Sequence, residues 1–215
     1  MKHLAVVLSS SILVACGGGG SDAPTSSPSG VSLSAGSPTT ASPAIEALVK
    51  YEGVWREDCK DHMRLTKTAT ATSGTTFSVS TKEEYFDNAD CTGALVATGS
   101  FSQPDEAVQY SATLVNASVT LLTGETIVSN VDPATSVLAV APFTFTGSHV
   151  TSTYALGTTF ARIEYADGSY VIVQRQALNG GTTHGALLLR NDELLALVPT
   201  GGSTTSFQVN HRYIR

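Results

Sequence analysis

Charge is scarce in this 215-residue chain: Asp, Glu, Lys and Arg make up 14% of it, 12 basic against 18 acidic. No Lys/Arg cluster occurs, so nucleic acid and anionic lipid surfaces are poor partners. No apolar run reaches the roughly 20 residues that a membrane-spanning helix needs. There is no Gly-x-Ser-x-Gly elbow, no His-Glu-x-x-His and no phosphate-binding glycine loop, so the motifs of the common hydrolases, zinc proteases and nucleotide enzymes are missing. Nor is there a Cys-x-x-Cys pair, and His62, His149, His184 and His211 stand singly. Asp61-His62 reads as a solvated loop pair, and Glu83-Glu84 as strand neighbours facing opposite sides. Gly180-Gly181 and Gly201-Gly202 sit among Thr and Ser and read as turns. No enzyme activity, metal or cofactor is expected.

The scarcest stretch runs from Ala107 to Ala161, where only Glu125 and Asp132 are charged. Exposed strand edges normally carry charge to block pairing. Two readings fit: Ser/Thr-rich outer faces of a closed barrel, which has no edges, or a contact surface for a partner or the membrane.

What is present begins at the N-terminus. Lys2, the apolar stretch Leu4 to Val14 and Leu13-Val14-Ala15-Cys16 resemble the signal peptide and lipobox of bacterial lipoproteins. The resemblance implies export, cleavage of residues 1–15, and acylation of Cys16. Gly17, in place of the Asp that retains many lipoproteins at the inner membrane, points to the outer membrane. Acyl burial contributes about 0.8 kcal/mol per CH₂, and stable anchoring takes more than one chain. Four glycines follow Cys16, and the stretch to about Ser42 is Gly, Ser, Thr, Ala and Pro with Asp22 as its one charge. That composition buries too little apolar surface to offset ordering entropy. Residues 16–43 therefore read as a lipidated, disordered tether, with a root-mean-square span of about 25–30 Å.

With Cys16 assigned to lipid, Cys59 and Cys91 remain as an even pair in an oxidising compartment, and a disulfide is expected. A metal site is the alternative, for which the spacing is poor. Residues 44–215 suffice for one domain. Ser42 as N-cap and Pro43 at the first helical position predict a short helix over Pro43–Tyr51. Beyond Gly53 the pattern is β. Thr76–Thr81 alternates, Val108 to Leu122 forms one long stretch, and Phe143–Phe145 continues the pattern. Asp167-Gly168 is a hairpin signal between Ile163–Ala166 and Tyr170–Val173. Arg190-Asn191-Asp192-Glu193 predicts a second hairpin, and Phe207 to Ile214 a closing strand. About nine or ten short strands predict an all-β barrel or sandwich.

Gly53-Val54-Trp55 resembles the Gly-x-Trp signature of the lipocalin-like families. That likeness implies a small antiparallel eight-stranded barrel, its end plugged by Trp55, with Arg212 or Arg215 from the last strand covering the ring. The segment Gly53 to Cys59, together with Tyr85 to Cys91, is similar to small lipocalin-like lipoproteins that carry a Cys on the same strand. The middle lipocalin signature is absent. The implied function is a lipid-anchored binding module for a small apolar ligand or envelope component. The alternative is a structural or interaction protein of the cell envelope with a filled barrel and no ligand. Its partners would be the membrane, through the lipid, and such a ligand or an envelope protein.

Overall fold

The structure, a computed structural model, describes residues 49–215 apart from Ala112, together with the backbone of Val6 and Val7. The expected leader (its two-residue strand excepted), Cys16, the tether and residues 44–48 lie outside the described residues. Of the expected helix only Val49 is described as helical, followed by a turn at Lys50 and Tyr51.

The strands are β1 (Val6–Val7), β2 (Gly53–Arg56), β3 (Met63–Ala71), β4 (Thr76–Phe86), β5 (Leu95–Phe101), β6 (Glu106–Tyr110), β7 (Val115–Thr120) and β8 (Thr126–Ala141). They continue as β9 (Phe143–Thr146), β10 (Val150–Ala155), β11 (Thr158–Glu164), β12 (Tyr170–Gln176), β13 (Leu178–Arg190), β14 (Glu193–Pro199) and β15 (Ser206–Ile214). Eight of them, β2-β3-β4-β6-β8-β13-β14-β15, pair antiparallel in chain order, and β15 returns to β2 at Ile214↔Arg56. This is a closed barrel, and the other strands are annexes to it.

The annexes arise where barrel strands outrun their partners. β4 pairs with β6 over Thr76–Val79 and with β5 over Lys82–Phe86. At the fork, Thr81 donates its N–H and its hydroxyl to the two oxygens of the buried Asp105 carboxylate, both at 2.6 Å. β8 pairs with β6 beyond Pro133 and with β7 before Asp132. β6 and β7 follow one edge of β8 but are separate strands, interrupted over 111–114, so the expected unbroken run from Val108 to Leu122 is corrected. The break falls opposite Pro133, whose carbonyl accepts from Ser111 N–H at 2.9 Å. A strand residue's N and O point to the same edge, so the missing donor of Pro133 faces the one place where no regular ladder needs it.

A second correction concerns Gly180-Gly181. They lie inside β13, not in a turn: Asn179 pairs with Val140 and Gly181 with Leu138, so the register runs on unshifted past Gly180, which sits at φ +81° opposite Ala139. Both predicted hairpins form. Asn191 and Asp192 sit at φ +49° and +63°, the left-handed pair that a two-residue hairpin loop requires.

Three apolar cores result. Tyr51, Trp55, Phe77, Val108, Tyr110 and Tyr213 pack within the barrel. Val119, Val131, Leu188, Leu195, Leu197 and Phe207 pack between β7–β8 and the outer face of β13–β15. Tyr85, Ala97, Phe143, Phe145, Ile163 and Val173 join the β4–β5–β9 annex to the three strands β10–β12. Gly99 in β5 is dictated by this third core, since a Cβ there would come within 2.6–2.8 Å of the Phe143 and Phe145 rings.

Candidate functional site

Sequence features converge on the two ends and the lumen of the barrel. At one end Trp55 is 1% exposed. Its Nε1–H donates to the Tyr51 carbonyl at 2.7 Å. Arg215 lies over the indole at 4.4 Å and donates to the carbonyls of Lys50 and Glu52 at 2.8 and 2.9 Å. Arg212 does not cover the ring; it bridges Asp58 at 2.8 Å and Glu193 at 2.5 Å. The buried Asp132 carboxylate accepts through one oxygen from Lys50 Nζ and Tyr51 OH. Burial and this acceptor push the Tyr51 phenol well above its ordinary range.

Charge also enters the lumen. Lys67 lies opposite Trp55, and Glu106 opposite Val79, so both point inward, and they pair at 3.0 Å. Burial alone would raise the Glu106 carboxyl; the Lys67 ammonium and the Ser136 hydroxyl outweigh it and hold it below the carboxylate range. Burial of Lys67 works against its charge, but Glu106 prevails and raises it. Tyr213 beside them is pushed up to about 12, chiefly by burial. Beyond this pair, His211 Nδ1 meets Glu57 Oε1 at 2.5 Å. Side chains therefore fill the barrel interior, with an ion pair among them.

The disulfide forms as expected. Cys59, following β2, is bonded to Cys91 in the β4–β5 connection, 32 residues on, with Cα atoms 5.7 Å apart. Close by, Asp61 and His62 sit at φ +48° and +73° in a tight turn closed by Lys60↔Met63. His62 is held by the Phe86 carbonyl at 3.0 Å and stacks on Tyr165 at 4.0 Å, so it buttresses the third core. Glu83 and Glu84 face opposite sides. Glu83 is buried with Arg175 at 2.6 Å and Tyr85 OH at 2.8 Å, whereas Glu84 meets Lys82 and Thr66 on the other face. The Glu57–His211 contact spans 154 residues, and only the barrel closure brings the two together. No group of three or more potential metal ligands occurs among the described residues.

Two open clefts, of about 330 and 300 Å³, lie on the surface. The first is lined largely by Ser, Thr and Lys82 of β4, β5 and their neighbours. The second lies where β2 leaves β15, between Glu57–Lys60 and Asn210–Arg212. The β10–β11 hairpin turns at Leu156-Gly157, both at positive φ. Leu156 is fully exposed and Tyr154 is 61% exposed. No protein-family model, curated protein or solved structure matches the chain.

Proposed function

We propose that the protein is a lipocalin-like lipoprotein of the bacterial envelope, anchored through Cys16, whose barrel is a scaffold for protein contacts. The observation that carries this reading is the Lys67–Glu106 pair in the lumen. A small apolar ligand would have to displace that half-buried pair or seal it from water, and taking charges out of water or parting them is costly. A filled, disulfide-closed barrel suits an interaction protein, and the charge-poor segment supplies the surface. The β10–β11 hairpin carries no charge before Arg162 and leaves Tyr154, Leu156 and Phe160 exposed, Tyr154 and Phe160 on opposite faces. A leucine at φ +51° is uncommon outside Gly, Asn and Asp, and its apolar side chain gains nothing from solvent there. Exposed apolar groups of this kind mark contact sites.

The test is native mass spectrometry on protein extracted gently from its envelope, with and without globomycin-type inhibition of lipoprotein processing. The expected result is an acylated chain beginning at Cys16 with no small apolar molecule bound, and accumulation of uncut precursor under the inhibitor. A stoichiometric apolar ligand would overturn the filled-barrel reading; normal maturation under the inhibitor would overturn the anchor.

A further inference from the structure

β14 runs along one edge of β15 for nearly its whole length, Glu193–Pro199 against Phe207–Ile214. The opposite edge is divided. β7 pairs with it in parallel over Ser206–Gln208, and β2 meets it antiparallel at Ile214 alone. The five residues Val209–Tyr213 face no strand on that side among the described residues. At about 3.4 Å per residue, the opening between Gln208 and Ile214 is about 20 Å long. Alternate residues of a strand direct their N–H and C=O groups to opposite edges, so this stretch offers donors and acceptors to the opening.

The cleft of about 300 Å³ lies at this opening. Met63, Leu65 and Leu122 form an apolar wall, and Lys60 stands in its lining. Glu57 and Asp58 reach across to His211 and Arg212, so side chains hold the seam where backbone pairing stops. Every other charged group lining the cleft is thus paired, while the Lys60 ammonium has no ion-pair partner among the described residues.

We propose that this slot binds a short extended peptide segment of a partner protein, which adds as a strand along Val209–Tyr213. An apolar side chain of the segment packs on Met63, Leu65 and Leu122, and a carboxylate meets Lys60. In strand addition the main-chain hydrogen bonds supply affinity and flanking side-chain contacts supply specificity. Peptide is the occupant because its repeating acceptors and donors match those that this edge leaves without a strand partner. The slot is bounded by β7 at one end and β2 at the other, so a short segment fits where a long sheet edge from a second copy does not. The site is separate from the β10–β11 hairpin and stands whether or not that hairpin docks anything.

The test uses the full mature protein in detergent micelles and a fluorescein-labelled Thr-Val-Thr-Leu-Asp peptide, read by polarisation and amide exchange. Saturable binding below about 1 mM is expected, with exchange slowed in Val209–Tyr213 and unchanged in β10–β12. Methylating alternate peptide nitrogens removes donors, and is expected to weaken binding about tenfold. Leu122→Arg, at an exposed position outside the cores, is expected to weaken it about tenfold by filling the slot, and Lys60→Glu about fivefold by removing an exposed ion pair. Unchanged melting of both variants verifies their fold. No slowing of exchange at about 1 mM peptide, or equal binding of the methylated peptide, overturns the proposal.

Discussion

The Glu83–Arg175 pair fastens the β10–β12 sheet to barrel strand β4, and its removal gives a sharp test of how the annex is held. Glu83 is 5% exposed, and its two oxygens are taken by Arg175 Nε at 2.6 Å and Tyr85 OH at 2.8 Å. Arg175→Met keeps the length of the side chain and removes its charge, leaving a buried carboxylate with the Tyr85 hydroxyl as its remaining partner from this network. Breaking a buried pair from one side costs about 3–5 kcal/mol, because the surviving charge is left uncompensated. For a domain of this size each kcal/mol lowers Tm by about 2–4 °C, so a fall of about 6–20 °C is expected. Glu83→Leu is expected to cost a similar amount by stranding the guanidinium. The double variant removes both charges and is expected to lie within about 2 kcal/mol of the parent, since a buried pair and an apolar replacement are often near balance. Thermal unfolding followed by near-ultraviolet circular dichroism measures all four proteins. Amide exchange in β11 and β12 locates the damage. Single-variant costs under about 1 kcal/mol would mean that water screens the pair, and costs that simply add in the double variant would mean that the two groups are not coupled; either result refutes the reasoning.

Glu106, held below its ordinary range by Lys67 and Ser136 against the effect of burial, contributes stability above its unfolded value of about 4.3 that is lost as pH falls through the depressed folded value. Glu106→Gln is therefore expected to be less stable than the parent at neutral pH and to show a shallower loss below about pH 4, measured by urea unfolding across pH. Gly99→Ala drives a Cβ into the Phe143 and Phe145 rings and is expected to cost about 1–3 kcal/mol by overpacking, read as a lower denaturation midpoint. Thiol labelling of the folded protein should find neither Cys59 nor Cys91 free; reducing that bond, which closes a loop of 32 residues' separation, is expected to cost about 3–4 kcal/mol on the chain-entropy account.

Much of the barrel could be read from the sequence because its strands bury one face and alternate accordingly, as in Thr76–Thr81. The hairpins at Asp167-Gly168 and Asn191-Asp192 were legible because those residues accept positive φ. β8 was not, because Asp132-Pro133 reads as a breaker. Only the gap between β6 and β7, a tertiary feature, makes proline harmless there. β13 hid its continuity for a similar reason, since Gly180-Gly181 carries the same signature in a turn or inside a strand at positive φ. The disulfide followed from counting. The lumen pair did not: Lys67 and Glu106 look like ordinary strand-face charges until the barrel closes. The Glu57–His211 and Glu83–Arg175 contacts span 154 and 92 residues, beyond the reach of any local pattern.

The wall formed by β13, β14 and β15 has consequences for how the molecule comes apart. Leu187, Leu189 and Ala196 face the barrel, while Leu188, Leu195 and Leu197 face the second core. Neither core can be hydrated without stripping one side of this same wall, so the two have no independent unfolding route. They form one melting unit, whose amides exchange only through a common opening event. The β10–β12 sheet shares no such wall with them and is free to open first. Slow exchange should thus divide the molecule by shared walls, grouping β7 with β13 and setting β12 apart, although β12 is the nearer to β13 in the chain.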